Sequence, residues 1–461
     1  MTAPAAAWPE GLLLSYYGDD FTGSTDVMEA FTAAGVPTML FLRPPTPKDL
    51  ARFPGLRCVG LAGTSRGRSP EWMAAELPAA FESLASLGAP LLQYKICSTF
   101  DSSPSTGSIG CAIALGAPLM AGTWSPLVVG APRLNRFQLF GNLFAAVNGV
   151  GHRLDRHPTM SRHPVTPMAE ADLRRHLAEQ TTRRIELIDM LQLRAGTAAD
   201  RLQQMAGDDV PVVLIDVLDD ETLAEAGRLI WEQRGKGLFS ASSSGLQYAL
   251  AAHWRHLGLV PMLAGLPRAR PVEQIAVVSG SCSPVTATQI AIAAKQGFAT
   301  ERLDLPGLLA EPEAEIERAV GLALAALAKG QSPLIYSAAG PDDPAVAGFE
   351  AIAAEARLSR EQAALRVGQG LAQVMRRLLD RSALKRIVVA GGDSSGEVAS
   401  ALDIAALSVV AGLAPGAPLC RVWSDRRERD GLEVVLKGGQ MGGPSFFADA
   451  RAGAVVSSPP P

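Results

Sequence analysis

The sequence predicts an α/β protein of two domains, each a mainly parallel sheet flanked by helices, with a cleft between them. Three observations carry this expectation. Short apolar runs alternate with helix-length periodic segments along nearly all of the 461 residues. The runs are unbroken in their apolar character, as strands covered on both faces are, and do not alternate polar with apolar. A Pro- and Arg-rich stretch, "LAGLPRARPVEQ" (Leu263 to Gln274), separates a first βα series from a second.

In chain order, strand-like runs fall at Leu12–Tyr17, Thr38–Leu42, Cys58–Ala62, Leu91–Cys97 and Leu127–Gly130, then at Glu186–Met190, Val210–Val217 and Gly237–Ser240. Between them, "GHRLDRHPTMSRHPVTPM" (Gly151 to Met168) is polar, proline-punctuated and irregular. It reads as a functional loop. The second series has strands at Ile275–Ser279, Leu334–Ser337 and Ile387–Ala390, and turns β-rich with Leu407–Val410, Leu419–Trp423 and Val434–Lys437. "AVGLALAALA" (Ala319 to Ala328) has the length of a buried helix, well short of the ~18–20 residues of a membrane span. The tail, "SSPPP", is expected to be disordered.

Composition excludes several function classes. The chain is 48% hydrophobic and 19% charged with a formal net charge of -4, which gives no electrostatic case for nucleic acid or an anionic membrane. The N-terminus, "MTAPAAAWPEG", lacks a basic region followed by an apolar one, so no secretory signal is read and a cytoplasmic location is expected. Cys58, Cys97, Cys111, Cys282 and Cys420 are scattered, without a CxxC pair, and read as reduced buried thiols. The six histidines lie between His152 and His256 without HExxH, so no protein-built metal site is expected.

In open parallel sheets ligands bind beyond the carboxyl ends of the strands. Asp19 and Asp20 fall at such an end, before a helix expected to start around Gly23–Thr25. Such a pair can hold a substrate hydroxyl, a Mg²⁺ ion or the proton of a nucleophile. Alternatively, one aspartate caps the helix and the other is solvated. "YKICSTFDSSPSTGSIG" (Tyr94 to Gly110) repeats the design with Lys95, Ser98, Thr99 and Asp101. Lys95, inside an apolar run, needs an anion. That anion is either Asp19 or Asp20, or a substrate carboxylate. In the second half, "VVSGSCSPVTATQI", "VVAGGDSSGEVASAL" and "VVLKGGQMGGPSFF" each place Gly and Ser after a strand-like run. Glycines let backbone amides approach an anion, and a helix N-terminus adds positive potential. Three such loops in one domain point to phosphate or nucleotide binding, although none matches a P-loop or a GxGxxG fingerprint. "GDSSG" (Gly392 to Gly396) satisfies GxSxG, which would make Ser394 a hydrolase nucleophile. The histidine needed downstream is absent, since the last is His256.

With "GDDFTGSTDV", "RHPVTPM", "SASSSGLQYAL", "SGSCS", "GGDSSG" and "LKGGQMGGPSFF" in this order, the chain resembles the four-carbon acid sugar kinase family over nearly its full length. The resemblance implies a sugar-acid-binding domain at 1–265, a nucleotide-binding domain at 270–455 and a short tail at 456–461. It implies ATP-dependent phosphorylation of a hydroxyl on a small sugar acid, with Mg²⁺, in the cleft between the domains. Asp19 and Asp20 would line the acceptor site, Asp20 as the catalytic base and Asp19 orienting substrate or metal, or with these two roles exchanged, and Lys95, Ser98, Thr99 and Arg162 would lie near the acid. ATP would lie against Ser279, Ser281, Gly391, Gly392, Asp393, Ser394, Ser395, Gly396, Gly438, Gly439 and Gly442. A homodimer is expected. Where many members have a Lys-x-Asp-Ser-Thr-Leu-Arg-Gly-Asn type stretch, this chain has Lys95-Ile-Cys-Ser-Thr-Phe-Asp-Ser-Ser-Pro. That departure loosens the expectation of a tetronate or 3-oxotetronate and opens 3-oxo-isoapionate. Two competing readings remain at this point: a non-catalytic two-domain sugar-acid binding protein, and the Ser394 hydrolase.

Overall fold

The computed structural model of the chain describes residues 8–147, 149–163, 165–207, 209–262 and 265–453. The chain divides into two compact units, one ending at Gly265 and the other starting at Leu266. The tail expected to be disordered lies outside the described residues.

The first unit contains β1 (Leu14–Gly18), β2 (Thr38–Phe41), β3 (Cys58–Ala62), β4 (Leu91–Lys95), β5 (Ser125–Leu127), β6 (Arg136–Leu139), β7 (Asn142–Val147), β8 (Val150–Arg153), β9 (Ile185–Ile188), β10 (Val212–Ile215) and β11 (Leu238–Ser242). Its main sheet runs β11-β4-β1-β3-β2, and every pair is parallel. The unbroken apolar runs have their cause here: β1, β2 and β4 are buried at every residue. Register aligns Gly18 with Ala62 on one side and Lys95 on the other, so β1, β3 and β4 end side by side. A second parallel sheet runs β5-β10-β9.

The third sheet, β6-β7-β8, is antiparallel and was assigned to no element in the sequence. It is a meander whose first turn is Phe140-Gly141, with φ of 49° and 78°. Positive φ at both positions is the hairpin turn that matches strand twist, and Phe is an unusual residue to open it. β8 also replaces the start of the expected functional loop, which retains short 3-10 turns at Leu154–Arg156 and Met160–Arg162. The expected strand at Leu127–Gly130 is displaced, since β5 ends at Leu127.

The second unit contains β12 (Ala276–Ser279), β13 (Ala299–Arg302), β14 (Pro333–Tyr336), β15 (Arg386–Ala390), β16 (Ala406–Ala414), β17 (Ala417–Trp423) and β18 (Glu433–Lys437). β18-β15-β12-β14-β13 are parallel, while β16 and β17 add an antiparallel pair beside β18. β13 was not expected, because "ATER" carries no apolar run. Its residues are half-buried or exposed, as on a sheet edge. The core gathers Val277, Val388, Val435, Leu419, Phe446 and Phe447. "AVGLALAALA" does form a helix, within Pro312–Ala328, but only one face is buried, through Ala319, Val320, Ala323 and Ala326. Leu322 is 44% exposed, so the helix is amphipathic and not buried all round. Among the described residues no helix is long and apolar enough to cross a membrane.

Candidate active site

At the carboxyl end of β1 the backbone leaves the sheet at Asp19 and enters the helix Phe21–Ala33, which starts earlier than the sequence suggested. Asp20 is its N-cap: Oδ1 accepts from the Gly23 amide at 2.7 Å and Oδ2 from the Thr22 hydroxyl at 2.8 Å. Capping thus accounts for one aspartate. The second is not solvated, since Asp19 is 3% exposed.

What lets two like charges sit together is Arg66, which sequence reasoning missed. It lies in the short turn Ser65–Gly67 after β3, held by its amide on the Asp19 carbonyl at 3.0 Å. Its guanidinium reaches both carboxylates. Nε and Nη2 donate to Asp19 at 3.1 and 2.7 Å, and Nη1 and Nη2 donate to Asp20 at 2.6 and 2.8 Å. A planar fork is suited to this bridging, which a lysine could not reproduce. The two acids then diverge. Burial pushes Asp19 up, and neither Arg66 nor anything else nearby fully offsets it. Asp20 is also desolvated, but Arg66, Lys95, Thr22 and the Gly23 amide together hold it below the usual carboxylate range.

Lys95 ends β4, 2% exposed, and its partner is neither of the two carboxylates expected. Nζ donates to the Ile96 carbonyl at 2.9 Å and pairs at 3.9 Å with Asp26, on the helix that Asp20 caps. Gly23 explains how these groups approach: a Cβ there would stand 2.5 Å from Asp20 Oδ1 and 3.0 Å from Lys95 Nζ. Burial pushes the Asp26 carboxyl up, with Lys95 opposing. Of the two missed partners, Arg66 follows the end of β3 and Asp26 lies within the helix after β1, and their pairing depends on which strands are neighbours.

The loop after β4 is fixed by its own contacts. Thr99 is buried, touches Cys97 Sγ at 2.9 Å and donates to Asp101 at 2.7 Å. Phe100 is fully buried in left-handed backbone (φ 58°), edge-on to the His176 ring at 5.6 Å. Such a conformation persists only where packing over-determines it. Ser98 is partly exposed on this loop, and Arg162 is exposed. None of the five cysteines forms a disulfide, but only Cys58 and Cys420 are buried, against the expectation for all five, and Cys282 is exposed.

In the second unit the loops after β12, β15 and β18 meet, because those strands are neighbours. Ser283 caps the helix Pro284–Lys295, and its hydroxyl donates to the Gly439 carbonyl at 2.8 Å. Thr286 Oγ1 donates to the same carbonyl at 2.8 Å. Gly439 is required by this approach, since a Cβ would stand 2.6 Å from Ser281 Oγ and 2.9 Å from Ser283 Cβ. Gln289 donates to the carbonyls of Met441, Gly442 and Gly443 at 3.0–3.1 Å, holding the last loop. Gly391 precedes the helix Gly392–Ala401, where Gly392 and Asp393 are exposed. Two helix N-termini and three Gly/Ser loops thus share one sheet end, a concentration of backbone amides suited to phosphate. Ser279 and Ser395 are fully buried, and Ser281 is nearly so. Ser394 is 5% exposed and packed towards Gly280, so it is not the presented hydroxyl of a nucleophile elbow.

Lys437, missed in the sequence although it sits in a valine run as Lys95 does in its own strand, is fully buried at the end of β18. Nζ donates to Thr286 Oγ1 at 3.1 Å, and desolvation lowers its pKa to about 8. Between pH 8 and its unfolded value of 10.5 the unfolded chain binds the extra proton, so stability rises with pH. Lys437→Met should abolish that rise, on the order of 3 kcal/mol, in denaturant titrations at pH 7.5 and pH 10. Parallel pH curves for variant and wild type would refute it.

Comparison with known proteins follows the same division. Residues 14–250 match the family model described as a sugar-binding N-terminal domain, and residues 276–447 match a nucleotide-binding C-terminal domain. A 3-oxo-isoapionate kinase from Paraburkholderia graminis is 67% identical over 98% of this chain and 97% of its own length. A 3-oxo-tetronate kinase from Cupriavidus necator is 32% identical over 95% of this chain and 96% of its own. A solved Salmonella typhimurium LT2 structure, under a provisional tRNA synthase name, superposes with a TM-score of 0.74 at 27% identity, covering 95% of this chain and 98% of that one. With near-full-length matches of this strength to both halves, the chain belongs to the four-carbon acid sugar kinase family.

Proposed function

We propose that the protein transfers the γ-phosphoryl group of ATP to a hydroxyl of 3-oxo-isoapionate. The 67% identity over both full lengths carries the choice of substrate. The shared sheet end of the Gly/Ser loops supports the nucleotide side. In the transfer, the bond between the γ-phosphorus and the bridging oxygen breaks, a bond to the substrate oxygen forms, and ADP leaves. Little covalent work falls to the protein, which positions the groups, neutralises charge and receives the hydroxyl proton.

The proton acceptor is Asp19 in this reading, with Asp20 second. All four lone-pair directions of Asp20 are taken by Gly23, Thr22 and two Arg66 donors. Among the described residues the Asp19 carboxylate accepts only from Arg66, and burial raises its basicity towards that useful in a general base. Ser98 and Thr99 line the acceptor loop. On the nucleotide side, Ser279, Ser281, Gly391–Gly396, Gly438, Gly439 and Gly442 surround the phosphates. Among the described residues no three acidic, His or Cys side chains form a metal cluster. That fits Mg²⁺, which binds through one or two carboxylates and the phosphates themselves. Asp393, with Glu397 one turn behind it, is the available donor set. When bound, Mg²⁺ would neutralise the charge that builds on the transferring phosphates.

Incubation with ATP·Mg²⁺ and a panel of 3-oxo-isoapionate, 3-oxo-tetronates and uncharged polyols should release ADP fastest with 3-oxo-isoapionate. Turnover of the polyols alone, or of no acid, would overturn the reading.

The two glycine loops should respond differently. Gly439→Val forces the β18 loop off Ser281 and Ser283 and should weaken ATP binding about tenfold or more. Gly392→Val meets no atom within 4 Å, so it should leave the apo melting temperature unchanged and act on ATP affinity alone. Equal losses of apo stability in both variants would contradict this assignment.

A further inference from the structure

A second guanidinium faces the loop after β4, with no carboxylate within ion-pair distance among the described residues. Arg136 opens β6, its backbone tied on both sides to Ala131 at 2.9 and 3.2 Å. The hairpin is anchored by Asp216, fully buried, which accepts from the amides of Phe140 at 2.5 Å and Gly141 at 3.0 Å. Nη1 of Arg136 donates to the carbonyls of Leu134 and Asn135, both at 3.1 Å. Nε is buried without a hydrogen-bond partner, and among the described residues no carboxylate lies within ion-pair distance.

A desolvated cation without a counter-ion is costly, so such a site is incomplete on its own. Arg66 shows the contrast, since all its buried donors end on carboxylates. The groups facing Arg136 are Cys97 and Asp101 from the loop after β4, and His157. Asp101 accepts from Thr99 at 2.7 Å and makes no ion pair with Arg136. Cys97 is uncharged, its thiol pushed up to about 11 by burial, and it faces Arg66 as well. Two guanidiniums therefore flank one neutral thiol on the loop that carries Ser98 and Thr99. Lys95 is satisfied by Asp26 and the Ile96 carbonyl, and Arg162 is exposed.

We propose that Arg136 is the specificity-determining residue whose guanidinium receives the substrate carboxylate. This rests on the sugar-acid kinase reading and names the recognition element within its acceptor site. A guanidinium can take a carboxylate bidentately, and Cys97, unlike an acidic residue at that position, adds no charge that competes for it.

The test measures equilibrium binding of 3-oxo-isoapionate without nucleotide, beside steady-state kinetics. Arg136→Met should raise the acid's Kd and KM by about ten- to a hundredfold, the loss expected for one charge-assisted contact. The KM for ATP should stay within about twofold. Arg136→Lys should recover part of the affinity. Cys97→Asp, which sets a carboxylate between the two guanidiniums, should weaken the acid while leaving ATP untouched. If Arg136→Met does not fold, Arg136→Lys and Cys97→Asp read the same contact. Unchanged acid affinity in the folded Arg136 variants overturns the proposal. A wild type that binds the acid but releases no ADP overturns the kinase reading and leaves the binding comparison decisive. A wild type that binds no sugar acid overturns both.

Discussion

Asp19→Asn should lower turnover by ~10²–10⁴-fold, the range for removing a general base, with little change in ATP affinity. The substitution keeps shape and one of the two Arg66 contacts, since an amide NH₂ cannot accept the other, and removes proton-accepting ability from a carboxylate that burial makes more basic. Asp20→Asn should cost less turnover. Asparagine caps a helix as well as aspartate does, and the Asp20 oxygens are already occupied. Measuring kcat for both variants with the same sugar acid decides the matter. A larger fall for Asp20→Asn would return the base to Asp20, the residue its sequence position favoured, and leave Asp19 as the group that aims Arg66.

The strand ends were legible because each is written locally. Unbroken valine- and leucine-rich runs announce buried parallel strands, and a charged or Gly/Ser cluster after each announces a ligand-facing end. Asp19, Asp20, Lys95 and the loops at Ser279, Gly391 and Gly438 all lie where that grammar puts them. What joins them was not local. Arg66 sits in a turn after β3, and nothing in "GTSRGRSP" says that β3 lies beside β1. Asp26 lies six residues past Asp20 within the helix, and only the β1–β4 pairing brings Lys95 to it. The β6–β8 meander escaped for another reason: its residues are half-buried with polar positions interleaved, which blurs the run that marks a central strand. Arg136 is hidden by the same blur. Lys437 broke the pattern openly, as a lysine ending an apolar strand, and the reasoning applied to Lys95 would have found it.

Arg66→Met should produce the largest change in stability. It leaves Asp19 and Asp20 side by side, with Asp19 3% exposed, and removes the one guanidinium that bridges them. Breaking a buried pair by deleting one partner costs about 3–5 kcal/mol. The Arg66 side chain is itself 25% exposed, which places the expected loss near the lower figure. For a unit of this size that corresponds to a fall in Tm of roughly 6–12 °C. Two further measurements separate this from a simple packing loss. Adding Asp19→Asn and Asp20→Asn to Arg66→Met removes the stranded charges and should return part of the lost stability, a coupling that independent sites would not show. The deficit should also depend on pH in a defined direction. Stranded carboxylates take a raised pKa in the folded protein, so the folded state holds protons that the unfolded chain has released, and stability falls as pH rises. Arg66→Met should therefore lie closer to wild type at pH 5 than at pH 8. A deficit equal at both pH values, and unrelieved in the triple variant, would mean that Arg66 contributes packing and hydrogen bonds but does not neutralise the aspartate pair.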